Sequence, residues 1–471
     1  MEERMLYDLE WLAPGQVFPP MSQRARLRRY EENRKLFETE HAQVYGEQLN
    51  RIERYSMTRG YYISFPVIFN YNKLLSLKTA DLVCGEPPNM SVAENEQRNV
   101  DLDTILKSTE FKNVLYESVI DLSRYGDSIL RLYKNTAGKA EVAVWQPGEW
   151  FPVVSAEDKK HVLYHVICWP VETSDSTADD RKYHLYCQIH EPGKYKFRKY
   201  HLKGNVIGQL VEPETVIPTG FSDFAIVPLT NVVTSDSIFG HDDYKPIDSI
   251  LSELIVRISQ ISKVLDKHAA PSMYGSEENL EEGPGGEYTI RTGNFFTVPP
   301  GEDPPGYLTW DGNLDAAFKQ IDALLNQLYI ISEMGAALLG SQDNGVGSVS
   351  SGEALKLKMV NPLVKARRIA MLIDEPVRKT VSLLSEMGYT KIPKDDIKVI
   401  WQDGLPDDEL RSAQIAGERI NQGTMSEADG IVYLDGIPQA KAEEKAKQIR
   451  EDRANQSFSS QFIDGDGDGS Q

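Results

Sequence analysis

Hydrophobic and polar positions follow two different periods along this chain, and the change of period divides it. Residues 22–53 are highly charged, with a sparse apolar set of Leu36, Phe37, Val44 and Leu49, which predicts a solvated helix. Residues 66–84 are apolar enough for a buried helix. That helix stops at Gly85-Glu86-Pro87-Pro88, because glycine and then paired prolines cannot continue it. Ile105, Leu106, Phe111, Val114, Leu115, Val119 and Leu122 predict another helix over residues 103–125, ended by Tyr125-Gly126-Asp127. From Ser128 to about Val233 the period falls to two. Ile129–Tyr133 alternates, and Asn135-Thr136-Ala137-Gly138 reads as a hairpin turn. Strands are expected at Ala140–Trp145, Phe151–Val154, Val162–Trp169, Tyr183–His190 and Lys194–Leu202. A strand-rich region beside a helical one is the α+β class.

Helical spacing returns at Asp242-Asp243-Tyr244-Lys245-Pro246, where Pro246 suits a first turn and the aspartates suit the positive end of the helix dipole. Ile247, Ile250, Leu251, Leu254, Ile258, Ile261 and Leu265 then form one apolar face. Residues 272–310 are rich in turns and predict a small module with strands at Tyr288–Arg291 and Asn294–Val298. A second helix uses Leu314, Phe318, Ile321, Leu325, Leu328 and Ile331. After Gly340 comes an insert, residues 341–350, with two glycines and no bulky side chain, which cannot bury a core of its own. Ser350 and Glu353 match a capping box that starts a third helix carrying Leu355, Leu357, Val360, Leu363, Ile369, Leu372 and Ile373. Pro362 and Pro376 fall inside that pattern and predict a kink at or before Pro362. A strand at Ile397–Trp401, helices near 406–421, 426–434 and 438–455, and a tail with little to bury complete the reading.

The formal charge of −20 argues against a generally basic nucleic-acid binder, yet an acidic wall around a duplex would suit passage rather than binding. Three cysteines, Cys84, Cys168 and Cys187, form no C-x-x-C pair, and the odd count speaks against a disulfide framework and for a reducing compartment. The charged start Met1-Glu2-Glu3-Arg4 lacks a signal h-region, and no apolar run reaches the roughly 20 residues that span a bilayer. Gly345-Val346-Gly347 lacks the strand, third glycine and Gly-Lys-Ser/Thr of a phosphate loop, so a flexible connector is preferred. Asp464, Asp466 and Asp468 copy half a calcium loop without its closing glutamate. His161 and His165 have no third ligand nearby. His241-Asp242-Asp243 is better explained as a helix N-terminus than as a metal or acid–base cluster. Lys356, Lys358, Lys365, Arg367 and Arg368 form a basic stripe, either a solvated face with ion pairs or a contact with a polyanion or neighbouring subunit. No catalytic signature, cofactor motif or metal site is found, so the expectation is a protein that is not an enzyme.

Taken in order, several stretches carry a resemblance. They are Asn72-Lys73-Leu74-Leu75 with Gly85-Glu86-Pro87-Pro88, then Gly240-His241-Asp242-Asp243-Tyr244 leading to Asp266-Lys267-His268-Ala269-Ala270-Pro271. Ser351-Gly352-Glu353-Ala354-Leu355-Lys356 and Trp401-Gln402-Asp403-Gly404-Leu405-Pro406 follow. Over roughly residues 25–450 the chain resembles the SPP1-like portal proteins of tailed bacteriophages. The departures are a compact insert at 272–310 and a short C-terminal region.

The resemblance implies a ring of about a dozen copies at one capsid vertex, with double-stranded DNA passing through its channel during packaging, retention and ejection. Residues 1–24 read as an arm, since Pro14, Pro19, Pro20 and Gly15 prevent regular structure over residues 1–20; the resemblance implies a wing at 25–240, stem helices at 241–270 and 311–340, and a clip at 271–310. A tunnel loop at 341–351, a kinked helix and wing strand at 352–404, a crown at 405–455 and a disordered tail at 456–471 complete the scheme. Gln342, Asp343, Asn344, Gly345, Val346, Gly347 and Ser348 would face DNA. Leu251, Leu254, Ile258, Ile261 and Leu265 would pack the stem, and a neighbour in the ring would cover their face. The implied partners are copies of the chain, the large terminase, head-completion and adaptor proteins, and the major capsid and scaffolding proteins, with no membrane. The implied location is the virion, after assembly in the host cytoplasm. The alternatives are a packaging-associated nucleotide-binding enzyme and a scaffold or adaptor that forms no ring.

Overall fold

Asn70 starts the first well-defined core helix, its side-chain oxygen accepting from Lys73 N at 2.9 Å in place of an absent intrahelical partner. The structure is a computed structural model that describes residues 5–451 except 53, 57–60, 64–65, 93–95, 175, 177–180, 270–272, 275–279, 283–287, 291–300, 302–305, 308–313, 340–358, 403–408, 436, 438 and 440–441. Its content is 51% helix and 21% strand, an α+β fold.

The leading helices are α1 (Arg24–Phe37), α2 (Tyr71–Cys84), α3 (Glu96–Ser108) and α4 (Phe111–Tyr125). The single helix expected over 103–125 is therefore two. Glu110 takes φ +49°, a conformation that a helix interior does not accommodate. α4 ends at Gly126, whose φ of +85° and bond to Leu122 O make a glycine stop. The expected helix at 22–53 is shorter, with α1 followed by single turns, although Leu36 and Leu49 are buried as its apolar set requires.

The strands fall close to the alternating stretches: β1 (Asn89–Val92), β2 (Asp127–Lys134), β3 (Ala140–Trp145), β4 (Trp150–Val154), β5 (Val162–Glu172), β6 (Tyr183–Glu191) and β7 (Lys194–Lys203). β8 (Val206–Leu210), β9 (Thr215–Pro218) and β10 (Ile226–Thr230) follow. One antiparallel sheet has the order β8-β7-β6-β5-β4, with β9 also on β7; the other is β10-β2-β3. Strand periodicity sorts the side chains of β2. Leu130 and Leu132 point into the main helical core, while Ile129 meets Trp150 and Ile167 of the larger sheet. The opposite face of the larger sheet is covered by the N-terminal segment, whose Leu6, Trp11, Leu12 and Phe18 pack on Phe151, Val166 and Ile189. Pro14, Pro19 and Pro20 prevent long elements here, but the segment is a fixed layer held by Gly15 N to Ile207 O and Phe18 N to Asn205 O.

Three longer helices follow, α5 (Asp248–Ala269), α6 (Asp315–Ile331) and α7 (Val360–Ser385). α5 and α6 pack together, and α7 lies across α2, α3 and β10 through Ile369, Ile373, Val377 and Val381. The segment before Met359, where the kink expected at or before Pro362 would fall, lies outside the described residues. Pro362 occupies the first turn of α7, where its missing N–H has no intrahelical acceptor to lose, and the helix runs on through Pro376. β11 (Ile397–Ile400) then pairs with β1, returning the chain to its first half. α8 (Glu409–Asn421) and α9 (Glu427–Asp435) pack on each other. In the 271–310 module the paired strands are Met273–Tyr274 with Gly306–Tyr307 and Leu280–Glu282 with Tyr288–Ile290; the strand expected at 294–298 lies outside the described residues.

Between the two sheets His165 and His190 face each other on β5 and β6. Burial keeps both imidazoles neutral and pulls each pKa down to about 3. Trp150 Nε1 donates to His165 Nδ1 at 3.1 Å. An unfolded histidine titrates near 6.5, so this contribution to stability is complete above that pH and is lost as pH falls toward 3. The loss between pH 7 and pH 5 is about 2 kcal/mol per histidine. Asp121, whose carboxyl burial pushes up to about 7, acts in the opposite sense over the same interval. The informative quantity is therefore a difference between proteins. His165→Asn still offers Trp150 an acceptor and should lose about 2 kcal/mol less than the parent between those pH values in denaturant unfolding. An identical loss in both would show that His165 is not held neutral.

Candidate functional site

The segment singled out by its glycines, with Gln342, Asp343, Asn344, Gly345, Val346, Gly347 and Ser348, lies outside the described residues, as do Lys356 and Lys358. Its root is described. The chain enters at Leu339 and leaves at Met359, both buried in the main core. Two contacts between α7 and the end of α6 close that root. Lys365, only 3% exposed, donates to Ser332 O at 3.2 Å. Its ammonium also lies 2.9 Å from Asp243 Oδ2, an ion pair without hydrogen-bond alignment. One turn further along, Arg368 holds Glu333 through its two terminal guanidinium nitrogens and keeps its carboxyl below the usual range. Glu333 itself sits at φ +59°, where α6 has ended and the chain turns.

Each residue of Gly240-His241-Asp242-Asp243-Tyr244 except His241, which is exposed, has a role beneath this root. Gly240 passes so close to Gly126 that a Cβ on it would stand 2.0 Å from Gly126 O, so no side chain fits. Asp242 Oδ1 accepts from Tyr244 N at 3.0 Å and Lys245 N at 2.8 Å, capping the turn that leads into α5. Asp243 receives Lys365, and its own N–H donates to Ser123 O at 2.9 Å. Tyr244 is fully buried, with its hydroxyl 2.7 Å from Ser76 Oγ. Arg29 of α1 then binds Asp242 at 2.9 Å and Asp248 at 2.7 Å, and Tyr45 donates to Asp248 at 2.8 Å. Burial disfavours the charge on Arg29, but Asp242 and Asp248 outweigh it and hold its pKa above the ordinary value. For Asp248 burial prevails and the carboxyl is raised. The helix N-terminus read from sequence is thus a three-way junction of α1, α5 and α7.

The other singled-out residues separate into two groups. Leu251, Leu254 and Ile261 are buried and Ile258 is half-buried, all against this chain's own core, which includes Ile321 and Leu328 of α6. Their cover is therefore supplied inside the subunit and not by a neighbour, so Leu254→Asp would disrupt the subunit itself. Leu265, at the far end of α5, is 53% exposed. The basic stripe is also divided, because Lys365 is internal and Arg368 is paired, whereas Arg367 is exposed. Sequence reasoning placed Val360 in the apolar set of this helix and did not single out Val364 and Met371, which share its exposed face. Val360, Val364 and Met371 fall on one side of α7 with Arg367, opposite Ile369, Ile373 and Val377, and Met371 is 70% exposed. Ile330 and Ile331, also exposed, close α6 two residues before the Glu333 turn. The spacing of 360, 364 and 371 was the available signal: α7 carries two apolar stripes, and one core needs only one. Among the described residues, no three metal-ligating side chains cluster, and no helix is long and apolar enough to cross a membrane.

Comparison with known proteins gives a match to the sequence model of one family, described as phage portal protein, SPP1 Gp6-like, over residues 22–457. No curated protein matches the chain in sequence. Similar solved structures include a chain from the virion of a native gene transfer agent particle, with 10% identity and TM-score 0.46, covering 78% of this chain and 89% of that one. Another is from the neck of the empty gene transfer agent particle computed with C6 symmetry, with 14% identity and TM-score 0.47, covering 78% and 90%. A third is from the neck of the native particle computed with C12 symmetry, with 11% identity and TM-score 0.45, covering 79% and 96%.

Proposed function

We propose that the chain, which belongs to the SPP1 Gp6-like family of phage portal proteins, closes with copies of itself into a ring of about a dozen subunits around a channel for double-stranded DNA. The ring occupies one vertex of the capsid and serves packaging, retention and ejection of the genome. The observation that carries this reading is the second apolar stripe of α7, Val360, Val364 and Met371, together with the exposed Ile330 and Ile331 at the end of α6. An apolar face left uncovered by its own subunit suits a heterologous contact, in which a different surface of the next copy covers it and the rotation closes. In this reading residues 1–24 are the arm, and 25–240 with 352–404 are the wing. Residues 241–270 and 311–340 are the stem, 271–310 the clip, 341–351 the tunnel loop, 405–455 the crown and 456–471 the tail. The clip meets the large terminase during packaging and head-completion or adaptor proteins afterwards. The capsid and scaffolding proteins surround the ring, and its location is the virion.

The junction at Lys365 supports the assignment of the tunnel loop. A glycine-bearing segment directed at a moving duplex needs a soft tip and a fixed root. Asp243, Ser332 and Glu333 hold α7 to the other two helices at the root. With a net charge of −20 per subunit, the ring would grip phosphate weakly, which favours sliding. Deleting Asn344–Ser348 should leave rings intact by negative-stain imaging and sharply reduce the DNA retained in packaging assays. Loss of rings would make the segment structural, and full retention of DNA would remove it from the channel.

A further inference from the structure

Cys168 and Cys187 stand directly opposite each other on β5 and β6. Their sulfurs are 2.8 Å apart, and the residues are 1% and 0% exposed. Facing residues of an antiparallel pair have Cα separations of about 4.5–5.5 Å, inside the window that a disulfide spans. We propose that these two cysteines are a site of oxidative modification, joined by a disulfide across the β5–β6 hairpin, with the N-terminal segment controlling access to it.

The control follows from what covers the pair. The sulfurs lie on the sheet face beneath Trp11, Leu12 and Phe18, within a continuous apolar layer. That layer is fastened at its ends by the Leu6–Val153 bridge and by Phe18 N to Asn205 O at 2.7 Å. Thiolate is the attacking species, and an apolar setting suppresses it. While the segment is seated, the pair stays reduced. When it lifts, a small disulfide reaches the sulfurs. The thiolate of one cysteine attacks a sulfur of glutathione disulfide and releases one glutathione thiolate. The second cysteine displaces the other glutathione and completes the Cys168–Cys187 bond. Two thiol protons pass to the two released glutathione thiolates, so glutathione disulfide takes up the electron pair. Cys84 is an internal reference, because it is buried apart from this pair in the helical core, where desolvation pushes its thiol up to about 12.

The test uses the full chain incubated with glutathione disulfide, then denatured, alkylated and mapped by peptide mass. The expected result is a linked Cys168–Cys187 peptide, alkylation at Cys84 alone, and an unfolding temperature that rises and returns after dithiothreitol. Trp11→Ala, which loosens the covering layer, should speed linkage several-fold. Linkage in either protein supports the proposal, and a rate unchanged by Trp11→Ala removes the control assigned to the segment. If all three cysteines of both proteins still alkylate after prolonged exposure, or glutathione stays attached to Cys168 or Cys187 without the link, the proposal is overturned.

Discussion

Lys365→Met should destabilise the subunit by about 3–5 kcal/mol. The ammonium is almost completely buried, and it satisfies two groups that water does not reach freely. These are the Asp243 carboxylate at 2.9 Å and the Ser332 carbonyl at 3.2 Å. Methionine fills much of the same volume, so cavity formation contributes little and the effect isolates the charge. What remains is a largely buried carboxylate without a counter-ion, which costs far more than the intact pair contributes. The double variant Lys365→Met with Asp243→Asn should recover a large part of the loss, because no net charge is then left inside. Urea unfolding of the variants measures both quantities. A loss below about 1 kcal/mol for the single variant would mean that the junction does not depend on this pair.

Val364→Asp combined with Met371→Asp should leave the subunit folded and abolish rings. Both side chains are exposed on the subunit, at 53% and 70%, so their replacement changes its stability little. At a subunit contact the same changes bury two carboxylates without partners, at a cost of several kcal/mol per contact, repeated at every contact around the ring. Leu254→Asp provides the contrast. That residue is 2% exposed within the subunit, so the variant should fail as a folded protein before assembly is in question. Circular dichroism and size measurement separate the two outcomes. Normal rings from the double variant would show that this face of α7 meets something other than a second copy.

Much of the architecture was legible because local chemistry and tertiary demand agreed. The strand Ala140–Trp145 falls where alternation places it, with Gly138 at φ +81° in the preceding turn. Helix α5 begins where Pro246 and the aspartates require, although the aspartates also serve Arg29 and Lys365, which are remote in sequence. The misreadings share one cause, namely contacts that no local window contains. Lys365 sits in a run of basic residues and looks solvated, but Asp243, more than a hundred residues earlier, draws it inside. The N-terminal prolines announce irregular backbone but not the sheet face that Trp11 and Leu12 cover. The apolar face of α5 was visible, whereas its cover by α6 and the rest of the core, rather than by another copy, was not.

The account stands or falls on assembly. Single-particle imaging of the purified full chain, with mass photometry on the same sample, tests it most directly. The expected result is a closed ring of about a dozen subunits with an open axis wide enough for a DNA duplex, residues 341–350 on the inner wall and Val364 and Met371 covered by the adjacent copy. A lone subunit at every concentration and salt examined, or a ring with 341–350 on its outer rim, would contradict it.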